Sequence, residues 1–156
     1  ELFSTICGSY RRLNPTSGDI DMIIVHPKIK TKKDAEKSHY LQIIIKKLKE
    51  SKFIVDSLTG DDVQTKYMGL FKLKHNSPLR RIDIRFIPYE SYYSAILYFT
   101  GSKDFNKKMR RVALDSGYTL NEYGLFDEND KMFKVNNEKD IFDFLGMEYL
   151  TPDKRN

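Results

Sequence analysis

The sequence of 156 residues has no tryptophan, a single cysteine and no extended apolar run. The lone Cys7 excludes an internal disulfide framework and is typical of a reducing compartment. No apolar run approaches the roughly 20 residues that a membrane-spanning helix needs. No signal-peptide pattern follows Glu1, and a chain that opens on Glu with a strand-like segment is expected to be part of a longer protein. We therefore expect an intracellular protein that is neither secreted nor bound to a membrane.

Aromatic and charged residues are abundant. Ten Tyr and ten Phe bring the aromatic share to 13%, within a hydrophobic share of 40%. This excludes a disordered tail and suffices for one sizeable core or two small ones. Residues 1–88 hold 17 basic and 10 acidic side chains (+7), whereas residues 89–156 hold 10 and 12 (−2), which gives the net charge of +5. The basic half permits a polyanionic partner.

Hydrophobic periodicity divides the chain at the same place. Charged and apolar side chains alternate over residues 80–87, which predicts a strand with one polar face, and the pattern becomes mainly helical after Pro88. The predicted strands are 2–7, 19–26, 53–58, 65–73, 80–87, 118–120, 124–126 and 132–135, and the predicted helices are 38–51, 90–100, 104–116 and 138–145. This order predicts an α+β fold with two domains, 1–88 and 89–156.

Three aspartates form the group that most strongly indicates chemistry. Asp19 and Asp21 lie two residues apart on a predicted strand and so share a face, and Asp83 lies on the polar face of another strand. Three carboxylates at one place repel one another unless a cation compensates them. Hard oxygen ligands suit Mg²⁺ or Mn²⁺, and carboxylates that hold two such ions support nucleotidyl transfer. The alternative is a turn with solvated acids, because Asp-x-Asp alone is common.

A second polar group precedes these acids. Gly8 and Ser9 follow a predicted strand, and Arg11 and Arg12 come directly afterwards. Glycine lets a ligand approach the backbone, a serine offers its hydroxyl and N–H groups, and guanidinium groups suit phosphate oxygens. A solvated arginine pair is the ordinary alternative. Taken with the acids, the segment favours a phosphate-bearing ligand.

Seven short segments follow one another in a recognisable order: GSYRR (8–12), SGDID (17–21), RRIDIR (80–85), YFTGS (98–102), FNKKMR (105–110), TLNEY (119–123) and EKDIFD (138–143). Over nearly the whole chain they resemble the palm and thumb motifs of the family X DNA polymerases. The resemblance implies a nucleotidyltransferase-type palm at 1–88, with a mixed or antiparallel sheet and helices, and a small α+β thumb at 89–156. It includes neither the amino-terminal lyase domain nor the helix-hairpin-helix domain of full members.

The resemblance assigns a nucleotide site. Asp19 and Asp21 would bind two metal ions, and Asp83 would bind only the catalytic ion and assist deprotonation of the primer 3′-hydroxyl. The implied nucleotide-binding residues are Gly8, Ser9, Arg12, Ser17 and Gly18 on the phosphate side, with Tyr98, Phe99, Gly101 and Asn106 on the sugar and base side. Two Mg²⁺ ions, replaceable by Mn²⁺, are the implied cofactors.

The resemblance also implies DNA contacts and a conformational switch. The implied DNA-binding residues are Lys66, Arg81, Arg110 and Tyr123. Arg85 would exchange partners between Asp21 and Glu122 as the thumb opens and closes. Lys103 stands where a family member carries an acidic residue near the incoming base, which leaves its effect on nucleotide affinity open.

The implied function is a DNA-directed DNA polymerase of the gap-filling repair type, which transfers a dNMP to a primer 3′-hydroxyl and releases pyrophosphate. Its implied partners are gapped or primer–template DNA and a dNTP, and we expect a monomer in the nucleus or cytoplasm. The Lys, Ile and Asn bias leaves a viral source open.

Three alternatives remain. A template-independent terminal nucleotidyltransferase would favour a longer connection than residues 58–66. A non-catalytic DNA-binding fragment would gain nothing from three clustered acids. An RNA or antibiotic nucleotidyltransferase would share Gly-Ser and Asp-x-Asp but is not expected to carry the segment 98–101.

Overall fold

The structure is a computed structural model that describes residues 2–60 and 62–156. The chain divides into two compact units, Glu1–Ile6 with Ser17–Tyr89 and Cys7–Thr16 with Glu90–Asn156. We refer to these as the first and second units. The domains 1–88 and 89–156 stay a prediction, because a division into compact bodies does not assign function. In this division residues 7–16 accompany the later part of the chain.

The described residues form both strands and helices. The strands are β1 Phe3–Ile6, β2 Asp19–Val25, β3 Ile54–Ser57, β4 Lys66–Phe71, β5 Arg80–Phe86, β6 Thr119–Leu120 and β7 Leu125–Phe126. The α-helices are α1 Gly8–Arg11, α2 Lys32–Lys37, α3 Tyr40–Glu50, α4 Tyr92–Thr100, α5 Lys103–Asp115 and α6 Glu138–Phe144, and short 3-10 helices lie at Tyr89–Ser91 and Pro152–Lys154. In the described part of the chain, no helix has the length and apolar character that a membrane crossing requires.

The first unit is built on a five-stranded mixed sheet with the order β1-β2-β5-β4-β3. The pair β2–β5 is parallel, and the other neighbouring pairs are antiparallel. The chain therefore places β5 between two strands that precede it in sequence. This sheet and its helices confirm the predicted α+β fold class.

The core of the first unit lies on one face of that sheet. Alternation along β5 buries Ile82, Ile84 and Phe86, each at most 2% exposed, and turns the charged side chains of the strand to the opposite face. The apolar stripe of α3, including Leu41 and Ile45, packs into the same core. The polar faces of β2 and β5 therefore remain available for chemistry.

The second unit has a separate core among α4, α5, α6 and the β6–β7 pair. Its buried members are Leu97, Phe105, Met109, Ala113, Leu120, Leu125, Ile141, Phe142 and Leu145. The Ser102 hydroxyl caps α5 by accepting the Phe105 N–H at 3.2 Å. The Asn137 side chain caps α6 by accepting the Asp140 N–H at 2.8 Å. Local sequence thus determines where both helices begin.

Some local features differ from the sequence-based prediction, among them helix α2, which the predicted helices do not include. Residues 132–135 were predicted as a strand, but their backbone forms a single β-bridge, between Met132 and Phe126. Phe133 and Val135 still pack against the second core, which explains their apolar spacing. The segment Gly8–Arg11 forms a short helix, where the sequence predicted only the end of a strand. Gly8 begins this helix at φ 65°, a conformation that glycine adopts without steric cost.

Candidate functional site

The three predicted acids lie on adjacent strands of the first unit. In the parallel β2–β5 ladder Asp21 stands opposite Asp83, and Asp19 stands opposite Arg81. Asp19 and Asp21 share a face of β2 because side chains alternate along a strand. The fold thus gathers, on the polar side of the sheet, carboxylates that are more than sixty residues apart in sequence.

Two arginines of β5 compensate this negative charge. The Arg81 Nε donates a hydrogen bond of 3.0 Å to Asp83 Oδ1. The Arg85 Nη1 lies 3.5 Å from Asp21 Oδ1, and both side chains of this pair are partly buried. Within residues 2–60 and 62–156, no three His, Cys, Asp or Glu side chains are arranged to hold a metal ion. In this arrangement Asp21 and Asp83 each face an arginine.

Burial and mutual repulsion act on the central carboxylate. Burial is the largest cause that raises the pKa of Asp21, the charges of Asp83 and Asp19 raise it further, and Arg85 opposes them. The hydrogen bond and charge of Asp83 in turn raise the pKa of Arg81. The donor atoms are carboxylate oxygens, which are the ligand type that hard divalent cations prefer, so the chemistry of this set fits such a cation.

The raised pKa of Asp21 predicts how the stability of the metal-free protein depends on pH. The folded state holds this proton more tightly than the unfolded chain, so stability falls as pH rises from the ordinary value of 3.8 through the raised pKa. We expect Asp21→Asn to raise the neutral-pH Tm in EDTA by about 2–4 °C, the shift that about 1 kcal/mol produces at this chain length. Thermal melts from acid to neutral pH measure the difference, which should vanish at the acid end.

Asp56→Asn is the matched control, because Asp56 is an exposed carboxylate of the same sheet. This substitution should leave the Tm unchanged. Saturating Mg²⁺ should raise the Tm of the wild type more than that of Asp21→Asn, because a cation that binds only the folded state stabilises it. A lower neutral-pH Tm for Asp21→Asn would mean that its ion pair with Arg85 outweighs burial and repulsion.

In the second unit, one predicted phosphate-side residue, Arg12, meets the turn that contains the predicted sugar-side residue Gly101. The Arg12 Nη1 donates to the Thr100 carbonyl oxygen at 2.5 Å. Gly101 follows at φ 69°, and a Cβ built there would lie 3.2 Å from Arg12 Nη1. The turn after α4 therefore requires glycine, both for its backbone conformation and for the close approach of Arg12.

Arg11, which was predicted to be a phosphate donor or a solvated residue, forms an ion pair within the protein. Its guanidinium donates to both carboxylate oxygens of Glu138 and, at 2.8 Å, to Thr100 Oγ1. Arg155 donates to the same carboxylate at 2.6 Å. The interpretation of Arg11 as a phosphate donor is therefore wrong for this arrangement, because these groups already occupy its guanidinium. Sequence reasoning missed Glu138 and Arg155, since neither has a local pattern that marks a buried ion pair.

The sugar-side and base-side residues form a second group on α4 and α5. The Asn106 Nδ2 donates to the Tyr98 carbonyl oxygen at 2.6 Å. The Arg110 guanidinium carbon lies 5.9 Å from the centre of the Tyr98 ring, and Phe99 meets that ring edge-on at 5.1 Å. Tyr98, Asn106 and Arg110 line a cavity of about 10 Å³. Helical spacing predicted the pairing of Asn106 with Arg110 on one face of α5 but not their contacts with Tyr98.

The other predicted residues of the first unit lie along the same strands. The Ser17 carbonyl accepts a hydrogen bond of 2.8 Å from Arg80 Nη1. A Cβ at Gly18 would meet no protein atom within 4 Å, so packing within the chain does not itself require glycine there. Lys66 begins β4 opposite Arg85.

The remaining predicted residues belong to the second unit. Gly8 and Ser9 are the first two residues of α1. Glu122 and Tyr123 lie between β6 and β7, where the Tyr123 N–H donates to Asn121 Oδ1 at 2.9 Å. Their roles toward nucleotide, DNA and the conformational switch stay predictions.

Comparison with known proteins identifies the class to which this fold and these carboxylates belong. Two family models match, the DNA polymerase beta palm over residues 1–89 and the DNA polymerase beta thumb over residues 95–156. DNA polymerase lambda of Rattus norvegicus is 34% identical over 171 residues, which cover 99% of this chain and 29% of that protein. DNA polymerase lambda of Arabidopsis thaliana is 32% identical over 172 residues, which cover 97% of this chain and 31% of that protein.

A solved structure agrees with these matches. The crystal structure of Leishmania infantum polymerase beta, a ternary P/T complex, superposes with a TM-score of 0.89 at 35% identity, covering 99% of this chain and 67% of that one. Fold and site thus define a nucleotidyltransferase-type palm with an α+β thumb. The chain belongs to the DNA polymerase beta family, which confirms the resemblance to the family X polymerases. It spans about a third of the length of the two curated relatives.

Proposed function

We propose that this chain is the catalytic part of a template-directed DNA polymerase of the gap-filling repair type. It would transfer a dNMP to a primer 3′-hydroxyl and release pyrophosphate. The observation that carries the proposal is the register of β2 and β5, which sets Asp21 opposite Asp83 with Asp19 on the same face. Family membership supports the same reaction, as does the ternary complex of the Leishmania relative.

The carboxylates provide the chemistry at the primer end. Asp19 and Asp21 would hold two Mg²⁺ ions, for which Mn²⁺ can substitute, and Asp83 would hold the catalytic ion. When bound, these ions lower the pKa of the attacking hydroxyl and stabilise the leaving pyrophosphate. Asp83 would also sit nearest the primer hydroxyl and assist removal of its proton. The raised pKa of Asp21 reflects crowded negative charge at this place. Arg81 now pairs with Asp83 and Arg85 with Asp21, and a bound cation would take over part of that compensation.

The nucleotide would be bound mainly by backbone and guanidinium groups. Ser9, Arg12, Ser17 and the glycines at 8 and 18 would hold its phosphates. Tyr98, Phe99 and Gly101 would face its deoxyribose and disfavour a 2′-hydroxyl, and Asn106 would reach the base edge. The observed contact of Arg12 with the Thr100 carbonyl supports a shared subsite, because it joins a phosphate-side residue to the sugar-side turn.

The remaining assignments concern DNA. Lys66, Arg81, Arg110 and Tyr123 would contact the primer–template. Arg85 would move from Asp21 to Glu122 when the thumb closes, which would free Asp21 for metal binding. The 3.5 Å separation of Arg85 and Asp21 corresponds to the first of these two pairings.

Primer extension tests the proposal. With Mg²⁺ and dNTPs, we expect incorporation of the templated nucleotide on single-nucleotide-gapped DNA, slower incorporation on a nicked duplex and no extension of single-stranded primer. Mn²⁺ should replace Mg²⁺, and EDTA should stop the reaction. Equal extension with and without a template would favour a terminal nucleotidyltransferase. DNA binding with no incorporation under any of these conditions would favour the non-catalytic fragment.

A further inference from the structure

The positive charge of the first half of the chain is concentrated in one segment, residues 28–52. This segment holds nine lysines, no arginine and three acidic residues, so its net charge is +6, whereas the rest of residues 1–88 carries only +1. Its lysines are Lys28, Lys30, Lys32, Lys33, Lys37, Lys46, Lys47, Lys49 and Lys52. All of them are exposed except Lys49, which is partly buried. We refer to these nine residues as the lysine surface.

The lysine surface lies on the opposite side of the first unit from the three aspartates. Ile29, Ala35 and Leu41 anchor the segment to the core on one face of the five-stranded sheet. Ile20 and Met22, which alternate with the two aspartates of β2, pack into that same core, so these aspartates face the other way. The sheet and its core therefore separate the lysines from the carboxylates, and the two surfaces cannot contact the same phosphate.

Helix stability accounts for only part of this charge. Lys47 and Lys49 lie in the last turn of α3, where the helix dipole favours cations. Lys32 and Lys33 are instead the first two residues of α2, where the same dipole disfavours cations. The local structure therefore gives no reason for the lysines at this end of the surface, and an anionic ligand would compensate them.

The composition of the lysine surface favours the phosphate backbone of a nucleic-acid duplex over other polyanions. Protein interfaces are enriched in arginine and aromatic residues and depleted in lysine, which is the reverse of this segment. Single-stranded nucleic acid is bound by stacking of its bases on aromatic side chains. The one Tyr, Phe or Trp residue of the segment is Tyr40, and its ring stacks on those of His26 and Phe86. Flexible ammonium groups without a stacking platform suit contacts with successive phosphates.

We propose that the lysine surface is a second DNA-binding surface, which holds intact duplex DNA by its phosphates on the side of the first unit away from the carboxylates. The duplex is DNA because the chain belongs to a family of DNA polymerases. The inference goes beyond the proposed function, because this surface contacts neither the primer end nor the nucleotide. By binding duplex that has no gap, it raises the local concentration of DNA and the rate of association.

The test removes four exposed lysines of this surface. The lysine-surface variant carries Lys33→Gln, Lys37→Gln, Lys46→Gln and Lys47→Gln. We expect it to bind a blunt-ended, intact DNA duplex about tenfold more weakly than wild type at about 0.1 M salt. The slope of log K against log salt concentration should become shallower by about 3, because each lost phosphate contact removes about 0.9. Fluorescence anisotropy over a series of salt concentrations measures both quantities.

A control variant removes the same charge from other exposed positions. It carries Lys74→Gln, Lys131→Gln, Lys134→Gln and Lys154→Gln. Its affinity for the intact duplex and its salt slope should stay close to wild type. Equal weakening in the two variants would mean that net charge alone attracts DNA, and would overturn the inference. If the lysine-surface variant is unstable, Lys28→Gln with Lys30→Gln, outside both helices, repeats the test with about half the change in slope.

Comparison with the carboxylate face separates this inference from the proposed function. Arg81→Gln should weaken binding of gapped DNA more than binding of intact duplex, and the lysine-surface variant should do the reverse. The lysine-surface variant should also keep the wild-type single-turnover rate on saturating gapped DNA. Absence of incorporation by the wild type would count against the proposed function, and intact-duplex binding would still report on the lysine surface.

Other ligands give distinguishable outcomes in the same assay. Tighter binding of single-stranded DNA or of duplex RNA than of duplex DNA, lost in the lysine-surface variant, would assign the surface to that ligand and overturn the proposal. No binding of intact duplex by the wild type, or unchanged binding by the folded lysine-surface variant, would overturn it as well.

Discussion

Asp83→Ala is expected to reduce the single-turnover rate of nucleotide incorporation about 10³-fold or more. Asp83 stands opposite Asp21 on the neighbouring parallel strand, so under the proposed function its loss would remove a ligand of the catalytic cation and the carboxylate nearest the primer hydroxyl. The affinity for gapped DNA should stay the same or increase slightly, because the variant removes a negative charge. Rapid-quench assays at saturating enzyme measure the rate, and fluorescence anisotropy measures the affinity.

Asp56→Ala is the control for this prediction, since it deletes an exposed carboxylate from the edge strand of the same sheet. Its incorporation rate should match wild type. Folding of Asp83→Ala is not expected to suffer, because removal of Asp83 relieves one of the charges that raise the pKa of Asp21. Equal incorporation by wild type and Asp83→Ala would refute the catalytic assignment of the three acids.

Arg155→Ala is expected to lower the free energy of unfolding by about 3–5 kcal/mol. The Arg155 side chain is completely buried. Its guanidinium carbon lies 5.3 Å from the Phe142 ring centre and 5.6 Å from that of Tyr149, and its Nε donates to the Leu150 carbonyl at 2.9 Å. Alanine would leave a cavity, an unpaired carbonyl and a buried Glu138 with one cation fewer. Urea titration followed by circular dichroism measures the loss.

Arg111→Ala provides the comparison, because Arg111 pairs with Asp115 on the exposed face of α5. Such a surface pair contributes about 0–1 kcal/mol, so its removal should change stability little. A similar, small loss in both variants would show that the ion-pair group of Glu138 does not stabilise the second unit.

The local structure was largely predictable because short-range rules set it. Alternation over residues 80–87 predicted the buried and polar faces of β5, and period-two spacing placed Asp19 and Asp21 on one face. Ser102 and Asn137 precede helices that begin where capping chemistry places them. The segment 132–135 was predicted wrongly, because apolar spacing reports burial and does not report how many backbone pairs form.

Long-range pairing was not predictable in the same way. The sequence does not indicate that β5 inserts between β2 and β4, although that insertion puts Asp83 beside Asp21. The ion pair of Arg11 with Glu138 spans 127 positions. Local patterns predicted a solvated or phosphate-binding arginine, whereas the fold brings α1 near α6 and makes Arg11 a partly buried member of an ion pair.

The amino-acid sequence alone established the α+β class, the polar strand faces and the motif order that marks the DNA polymerase beta family. Propensity, capping and alternation depend on residues close in the chain, so they can be read along it. Folding in three dimensions established the partners: Asp21 opposite Asp83, Arg85 on Asp21, and Arg11 on Glu138. These partners depend on which distant segments share a sheet or a core, because charges and hydrogen-bonding groups acquire neighbours only when the chain packs.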